Sequence, residues 1–188
     1  MLGAVLAGGA GRRLGGAKPT AQLDGRPLAA YPVEALRAVC DAVVVVCKED
    51  TELPELLGTE RWEEPAQPRH PIAGIVYALE RAQRPVLVCA VDMPWITPDA
   101  CRTILTAARA GIADAAVAVA AGVLQPTFGT YGPGSLATLR GAPPDAPLTR
   151  TVELLDPVRV ALPPRIVRSV NTAEQLAAAE AELRAAPR

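Results

Sequence analysis

Aromatic side chains are scarce in this chain: one Phe, two Trp and three Tyr among 188 residues. So sparse a set does not build a stacking platform for single-stranded nucleic acid. An excess of charge is also missing. Nineteen Lys and Arg face 20 Asp and Glu, for a formal net charge of -1, and no basic surplus argues for nucleic acid or an anionic membrane as a partner. No apolar run reaches the length of a membrane span. No charged-then-apolar leader precedes the first strand-like run, so a cytoplasmic protein without a signal peptide is expected. The single histidine, His70, is not by itself a catalytic constellation. The four cysteines, Cys40, Cys47, Cys89 and Cys101, form no C-x-x-C pair. They are expected to be small buried hydrophobes rather than a zinc or redox site.

What is present is a regular alternation of strand-like and helix-like stretches, which implies an α/β layered architecture. The length fits one domain, residues 1–188, with a full core. The apolar runs Leu2 to Ala7, Ala42 to Cys47 and Pro85 to Val91 suit buried parallel strands, and Asp114 to Ala121 suits a further strand. Helices are expected after Pro27, after Pro71, after Pro98, after Ser135 and from Ala173. Thr51 to Gly58 is expected to form a short helix, and Glu60 to Pro71, polar and proline-bearing, a loop.

The first run opens directly into Gly8, Gly9, Gly11, Gly15 and Gly16, with Arg12, Arg13 and Lys18 interleaved or close behind. Glycine lets backbone amides approach a ligand, and successive amides in such a turn form an anion-binding concavity. Arginine and lysine add charge and donors suited to phosphate. A buried strand, a glycine loop and clustered cations together point to a polyphosphate site. It is neither of the two common phosphate loops. A P-loop needs glycine before the lysine and Ser or Thr after it, whereas the chain runs Gly16-Ala17-Lys18-Pro19. The dinucleotide fingerprint fails at its third glycine, where Leu14 stands.

Leu6-Ala7-Gly8-Gly9, Arg13-Leu14-Gly15 and Lys18-Pro19 resemble the signature of nucleotidyltransferases built on a glycosyltransferase-A-like fold. Within that group the chain is most similar to the molybdenum cofactor guanylyltransferases. Asp92-Met93-Pro94 is the second strong motif. Its carboxylate follows an apolar strand, at the face of an open α/β sheet where ligands bind, and suits a magnesium ion bridged to substrate phosphates. His70-Pro71-Ile72-Ala73-Gly74-Ile75 resembles the family's Gly-Pro-Leu-Ala-Gly-Ile, with His70 in place of glycine. Ser169-Val170-Asn171-Thr172-Ala173 resembles its Asn-hydrophobe-Asn-Thr-Pro, with Asn171 matching the second asparagine and Ser169 replacing the first. Thr172 and Gln175 also suit a capping box. Lys48, after the second strand, departs from the family's Asn or Arg; it is either a base-reading position or a solvated loop charge.

The resemblance covers the chain from Leu2 to about Leu176. It implies a three-layer, mostly parallel Rossmann-like sheet with helices on both faces, of the nucleotide-diphospho-sugar transferase kind. It implies Mg²⁺ as cofactor, held by Asp92, with Arg13, Lys18 and Asp92 as catalytic residues. Leu6, Ala7, Gly8, Gly9, Gly11, Arg13, Lys18, Glu64, Gly74 and Asp92 would bind the nucleotide. Gln125 and Asn171 would face the acceptor, and Arg150 would lie in a segment suited to acceptor phosphate. The implied partners are GTP, a molybdopterin-type acceptor and, transiently, other proteins of molybdenum cofactor biosynthesis or their target enzymes. The implied reaction moves GMP onto the acceptor's phosphate and releases pyrophosphate, a task of positioning and charge neutralisation that needs no Ser-His or Cys-His pair. Transfer from CTP, transfer to another phosphorylated acceptor such as a sugar phosphate or cobinamide phosphate, and nucleotide or cofactor binding without catalysis stand as alternatives. A purely structural domain would leave the glycine and cation loop without a purpose.

Overall fold

The computed structural model describes residues 1–9, 18–143 and 146–185. Gly11 and Arg13, with the rest of the glycine-rich turn from 10 to 17, lie outside the described residues.

Seven strands form the main sheet: β1 (Leu2–Leu6), β4 (Ala42–Cys47), β5 (Glu60–Glu63), β6 (Val86–Ala90), β7 (Ala115–Ala120), β8 (Val123–Tyr131) and β9 (Val158–Ala161). Their order across the sheet is β5-β4-β1-β6-β8-β7-β9. β1 pairs in parallel with β4 and β6, β4 with β5, and β7 with β9. β8 runs antiparallel to both β6 and β7, the one reversed strand of the seven. Two short strands, β2 (Gln22–Leu23) and β3 (Arg26–Pro27), make a separate hairpin.

Helices α1 (Ala30–Arg37) and α3 (Pro98–Ala110) cover one face, and α2 (Pro71–Ala82), α4 (Leu136–Arg140) and α5 (Leu148–Glu153) cover the other. The period-two alternation of strands divides the core accordingly. Val43, Val45 and Cys47 of β4 pack with Leu36 and Ile104; Val44 and Val46 pack with Ile75 and Leu79. An apolar run buried on both sides is what the four consecutive valines require. The lone phenylalanine, Phe128, is fully buried among the first set. A smaller third cluster, Leu23, Leu28, Trp95, Val170 and Ala179, seats α6 (Ala173–Ala185) against the β2–β3 hairpin. No helix among the described residues is long and apolar enough to cross a membrane.

Three local expectations are corrected. Glu60–Glu63 is a strand, not loop: ERWE lies at the sheet edge and only Trp62 is buried, so its apolar pattern is too thin to read. Thr51 to Gly58 forms no helix; Pro54 in its middle has no amide hydrogen to give a helical turn. Pro27 closes the β2–β3 hairpin, and α1 begins at Ala30. The helices opened by Pro71 and Pro98 form as expected. Thr97 Oγ1 accepts the Ala100 amide at 3.2 Å and His70 Nδ1 the Ile72 amide at 3.3 Å, each relieving a free amide of the first turn. All four cysteines are free, and Cys47, Cys89 and Cys101 are buried. Burial pushes the Cys101 thiol up to about 12 and the Cys40 thiol to about 11, which makes both inert at neutral pH.

Candidate active site

β1 is flanked by β4 and β6, whose connections leave in opposite directions along the sheet. Open α/β sheets bind ligands at such a switch point, beyond the carboxyl ends of the strands. A cleft of about 240 Å³ lies there. Leu6, Ala7, Gly8 and Gly9 from the end of β1 line it, with Ala90, Val91 and Asp92 from the end of β6, Glu64 after β5, and Pro71 and Gly74 from the start of α2. The strand ends are pinned past the sheet proper: the Ala7 amide donates to Val46 O at 2.8 Å, the Val91 amide to Leu6 O at 3.0 Å, and the Glu64 amide to Cys47 O at 2.9 Å.

One wall is a three-residue polar junction. Lys18 Nζ donates to Asp92 Oδ2 and to Asn171 Oδ1, both at 2.7 Å. The residues are 74 and 153 positions apart in the chain, yet they meet because the Val170 amide binds Asp92 O at 2.8 Å and draws the segment before α6 over the tip of β6. The Lys18 and Asp92 side chains are 17% and 14% exposed, so the pair is sheltered but open to the cleft. Asp92 caps no helix; Thr97 does that for α3. Asn171 therefore sits with the catalytic candidates. The box at the start of α6 forms with a shift of one residue: Thr172 Oγ1 accepts the Gln175 amide, while Gln175 Oε1 accepts the Asn171 amide.

The opposite wall carries a buried ion pair. Lys48 Nζ lies 3.3 Å from Glu64 Oε1, with the two side chains 2% and 4% exposed. The same ammonium donates to the carbonyls of Pro65 at 2.5 Å and Pro68 at 3.1 Å. This removes the solvated-charge alternative for Lys48. Glu64 Oε2 is buried with no hydrogen-bond partner among the described residues. Burial raises the Glu64 carboxyl above its ordinary range, and the nearby charges of Lys48 and Arg69 oppose that rise. Gly8 makes room for this carboxylate, and Gly74 lies in ordinary contact with it. A Cβ at Gly8 would fall 2.1 Å from Glu64 Oε1, and one at Gly74 would fall 3.6 Å from Oε2.

The expected residues are thus partly gathered. Leu6, Ala7, Gly8, Gly9, Lys18, Glu64, Gly74 and Asp92 line one cleft, and Asn171 touches it through Lys18. Gln125 does not line it; it lies in a neighbouring shallow groove with Arg165 and Arg168. Thr127, two residues on in β8, lines the cleft instead, because alternate residues of a strand face one way and Thr127 is nearer the sheet interior. Arg150 is exposed on α5 and is not among the lining residues. His70 lines the cleft, but its Nδ1 is an acceptor for the helix amide and burial lowers its pKa, so it is a neutral cap rather than a phosphate-binding cation. Thr127 and Arg69 also border the cleft without a local sequence signal, and Ser169, which stands where the family motif has its first asparagine, borders it too. Lys48 carried one signal, its place directly after the most apolar strand.

Among the described residues, no group of three or more His, Cys, Asp or Glu could hold a metal ion. The Asp92 and Asn171 oxygens nonetheless converge on one cation, the Lys18 ammonium. Hard oxygen donors of this kind, one carboxylate among them, suit a magnesium ion that takes its remaining ligands from phosphates and water.

Residues 3–160 match the MobA-like NTP transferase domain. Among curated proteins, the chain is 29% identical over 140 residues to a probable molybdenum cofactor guanylyltransferase of Geobacillus sp., an alignment covering 70% of this chain and 69% of that one. It is 34% identical over 102 residues to a probable molybdenum cofactor guanylyltransferase of Thermococcus gammatolerans, covering 53% of this chain and 52% of the relative. The chain thus spans about half the length of some curated relatives it matches. Among solved structures, molybdopterin-guanine dinucleotide biosynthesis protein A from Archaeoglobus fulgidus superposes with a TM-score of 0.77 at 24% identity, covering 98% of this chain and 99% of that one. 2-C-methyl-D-erythritol 4-phosphate cytidylyltransferase from Thermus thermophilus superposes with a TM-score of 0.69 at 22% identity, covering 96% and 98%. Both structural likenesses are likenesses of fold.

Proposed function

This chain belongs to the MobA-like NTP transferase family, and on that premise we propose that its cleft transfers GMP from GTP to the phosphate of molybdenum-molybdopterin, with Mg²⁺ as cofactor. The observation that carries the proposal is the junction of Lys18, Asp92 and Asn171 beside the Gly8–Gly9 backbone. An ammonium and two hard oxygens at the mouth of the cleft form equipment for moving a nucleotidyl group from one phosphate to another. Simple nucleotide binding needs only part of it.

The acceptor's phosphate oxygen attacks the α-phosphorus of GTP; the new P–O bond forms as the bond to the β-bridging oxygen breaks, and pyrophosphate leaves with the electron pair. No side chain needs to become a nucleophile. The Gly8 and Gly9 amides hold phosphate oxygens, and Arg13 is expected to join them. Lys18 would offset the negative charge that grows on the transferred group once its ammonium turns from the Asp92 and Asn171 oxygens to the phosphates. Asp92 and Asn171 are the residues that would hold Mg²⁺, which when bound supplies charge neutralisation at the α-phosphate and favours ionisation of the attacking oxygen. Glu64, with one oxygen free of partners, would accept from the N–H edge of the base. The molybdopterin would enter over β8, where Thr127 faces the cleft.

Thermal unfolding in the presence of GTP, CTP, ATP or UTP, each with Mg²⁺, tests the donor. A ligand at about a hundred times its dissociation constant adds roughly 2.7 kcal/mol to stability. Selective stabilisation by GTP, followed by pyrophosphate release only when the molybdenum cofactor is added, is the expected result. Selective stabilisation by CTP overturns the guanylyl assignment, and nucleotide binding without pyrophosphate release overturns catalysis.

A further inference from the structure

A lysine that is 1% exposed requires an explanation, because burying an ammonium costs several kcal/mol unless it is fully partnered. Lys48 is fully partnered. An ammonium has three N–H donors, and three oxygens surround this one: Glu64 Oε1, Pro65 O and Pro68 O. None is left for a ligand. All three acceptors belong to one short segment, residues 64–68, that runs from the end of β5 toward the start of α2. The lysine itself is anchored at the end of β4, where its amide donates to Thr51 Oγ1 and its carbonyl accepts from Arg61. The segment it grips is also the one that bears Glu64 against Gly8 and Gly74 in the cleft.

We propose that Lys48 is a positioning residue for nucleotide recognition: its ammonium clamps the 64–68 segment and holds Glu64 with Oε1 committed and Oε2 left as the acceptor for the base, without itself touching the ligand. The inference rests on the proposed function, since it takes the cleft to be a nucleotide site.

The clamp has an electrostatic consequence. Glu64 faces burial on all sides, relieved by Lys48 first and by Arg69 second, while the neutral His70 at the helix start adds no charge. Arg69 is itself paired with Asp50, so it is a weak substitute. Removing the Lys48 charge leaves burial less opposed, and the Glu64 carboxyl then takes up a proton at higher pH. A carboxyl that gains a proton changes from an acceptor to a donor toward the base.

The test is GTP binding by calorimetry, with Mg²⁺, from pH 5.5 to 8.5, for the full-length protein and its Lys48→Met, Glu64→Gln and double variants. The ratio of Kd between variant and wild type cancels the titration of the nucleotide itself. For Lys48→Met this ratio is expected to rise by about tenfold from pH 8.5 to 5.5, the effect of about one pKa unit on a coupled group. Glu64→Gln is expected to weaken GTP by about tenfold and to abolish the extra pH dependence in the double variant. A Lys48→Met ratio that is large but flat with pH, and that survives unchanged in the Glu64→Gln background, means a direct ligand contact and overturns the proposal. Should Lys48→Met fail to fold, unchanged GTP affinity of Glu64→Gln still overturns the proposal. Wild-type protein that does not bind GTP overturns the proposed function instead, and is distinguishable at the first titration.

Discussion

Gly8 and Gly9 are adjacent in the same motif, yet the structure assigns them opposite tolerances. At Gly8 an added Cβ would sit 2.1 Å from Glu64 Oε1 and 3.6 Å from Lys48 Cε; at Gly9 it would meet nothing within 4 Å among the described residues. Glu64 cannot swing aside at no cost, because moving it leaves Lys48 buried without its counter-charge. Gly8→Ala is therefore expected to cost about 1–3 kcal/mol from overpacking, and more if the ion pair parts, since a buried charge left unpaired costs about 3–5 kcal/mol. For a chain of this size each kcal/mol moves Tm by about 2–4 °C, so overpacking alone is expected to lower it by about 2–12 °C. Gly9→Ala should stay within about 0.5 kcal/mol of wild type, as exposed substitutions do. Differential scanning calorimetry of the two variants side by side measures the contrast. Equal Tm values for Gly8→Ala and wild type would show that the carboxylate relaxes freely, and would refute the account of a locked Lys48–Glu64 wall.

Asp92→Asn keeps the shape of the Lys18 junction but removes its charge, and turnover should fall by at least about 100-fold in a pyrophosphate-release assay with GTP, Mg²⁺ and the molybdenum cofactor; full activity would eliminate Asp92 as metal ligand. Lys18→Met should tighten binding of Mn²⁺ in the absence of nucleotide, measured by electron paramagnetic resonance, because the ammonium stands between the Asp92 and Asn171 oxygens and excludes another cation from them; unchanged affinity would place the ion elsewhere. His70 has its pKa lowered by burial, so its unfolded state binds the proton more readily. Its contribution to stability is present above the unfolded pKa of about 6.5 and is lost as pH falls through the folded one. His70→Asn keeps a good cap without the titration and should flatten stability against pH below that point; identical urea midpoints for both proteins from pH 5 to 7 would contradict it.

Much of the sheet was legible because buried parallel strands write themselves as unbroken apolar runs. Val43 to Val46 and Val86 to Val88 have no other use than the centre of a covered sheet. Asp92 stood out for the same reason, as a charge placed directly after such a run. The edge was not legible. β5 has one buried residue, Trp62, and its charged neighbours read as loop. The reversal of β8 is a pairing decision made by distant residues, and nothing within Val123–Tyr131 declares its direction. Lys48 shows a subtler limit. A lysine after a strand is ordinarily solvated, and only the folded chain brings two proline carbonyls and a carboxylate around it. Gln125 failed as a cleft residue by two positions, the distance over which a strand repeats its face.

The reversal of β8 separates what the enzyme must keep from what it can change. Six strands run toward the edge of the sheet that holds the cleft, and the ends of β1, β5 and β6 line it. β8 enters there instead, after a turn in which Ala121 and Gly122 both take positive φ. Beyond Val123 the strand pairs with β6 and β7 down to Tyr131, so extra residues at the turn would lengthen the hairpin tip, beside the groove of Val123 and Gln125, without disturbing Phe128 or the sheet. The cleft wall of Gly8, Glu64 and Lys48 is tightly packed, and the hairpin tip stands apart from it, beside Gln125. Length and sequence around 121–123 can therefore vary while Gly8, Glu64 and Asp92 stay as they are.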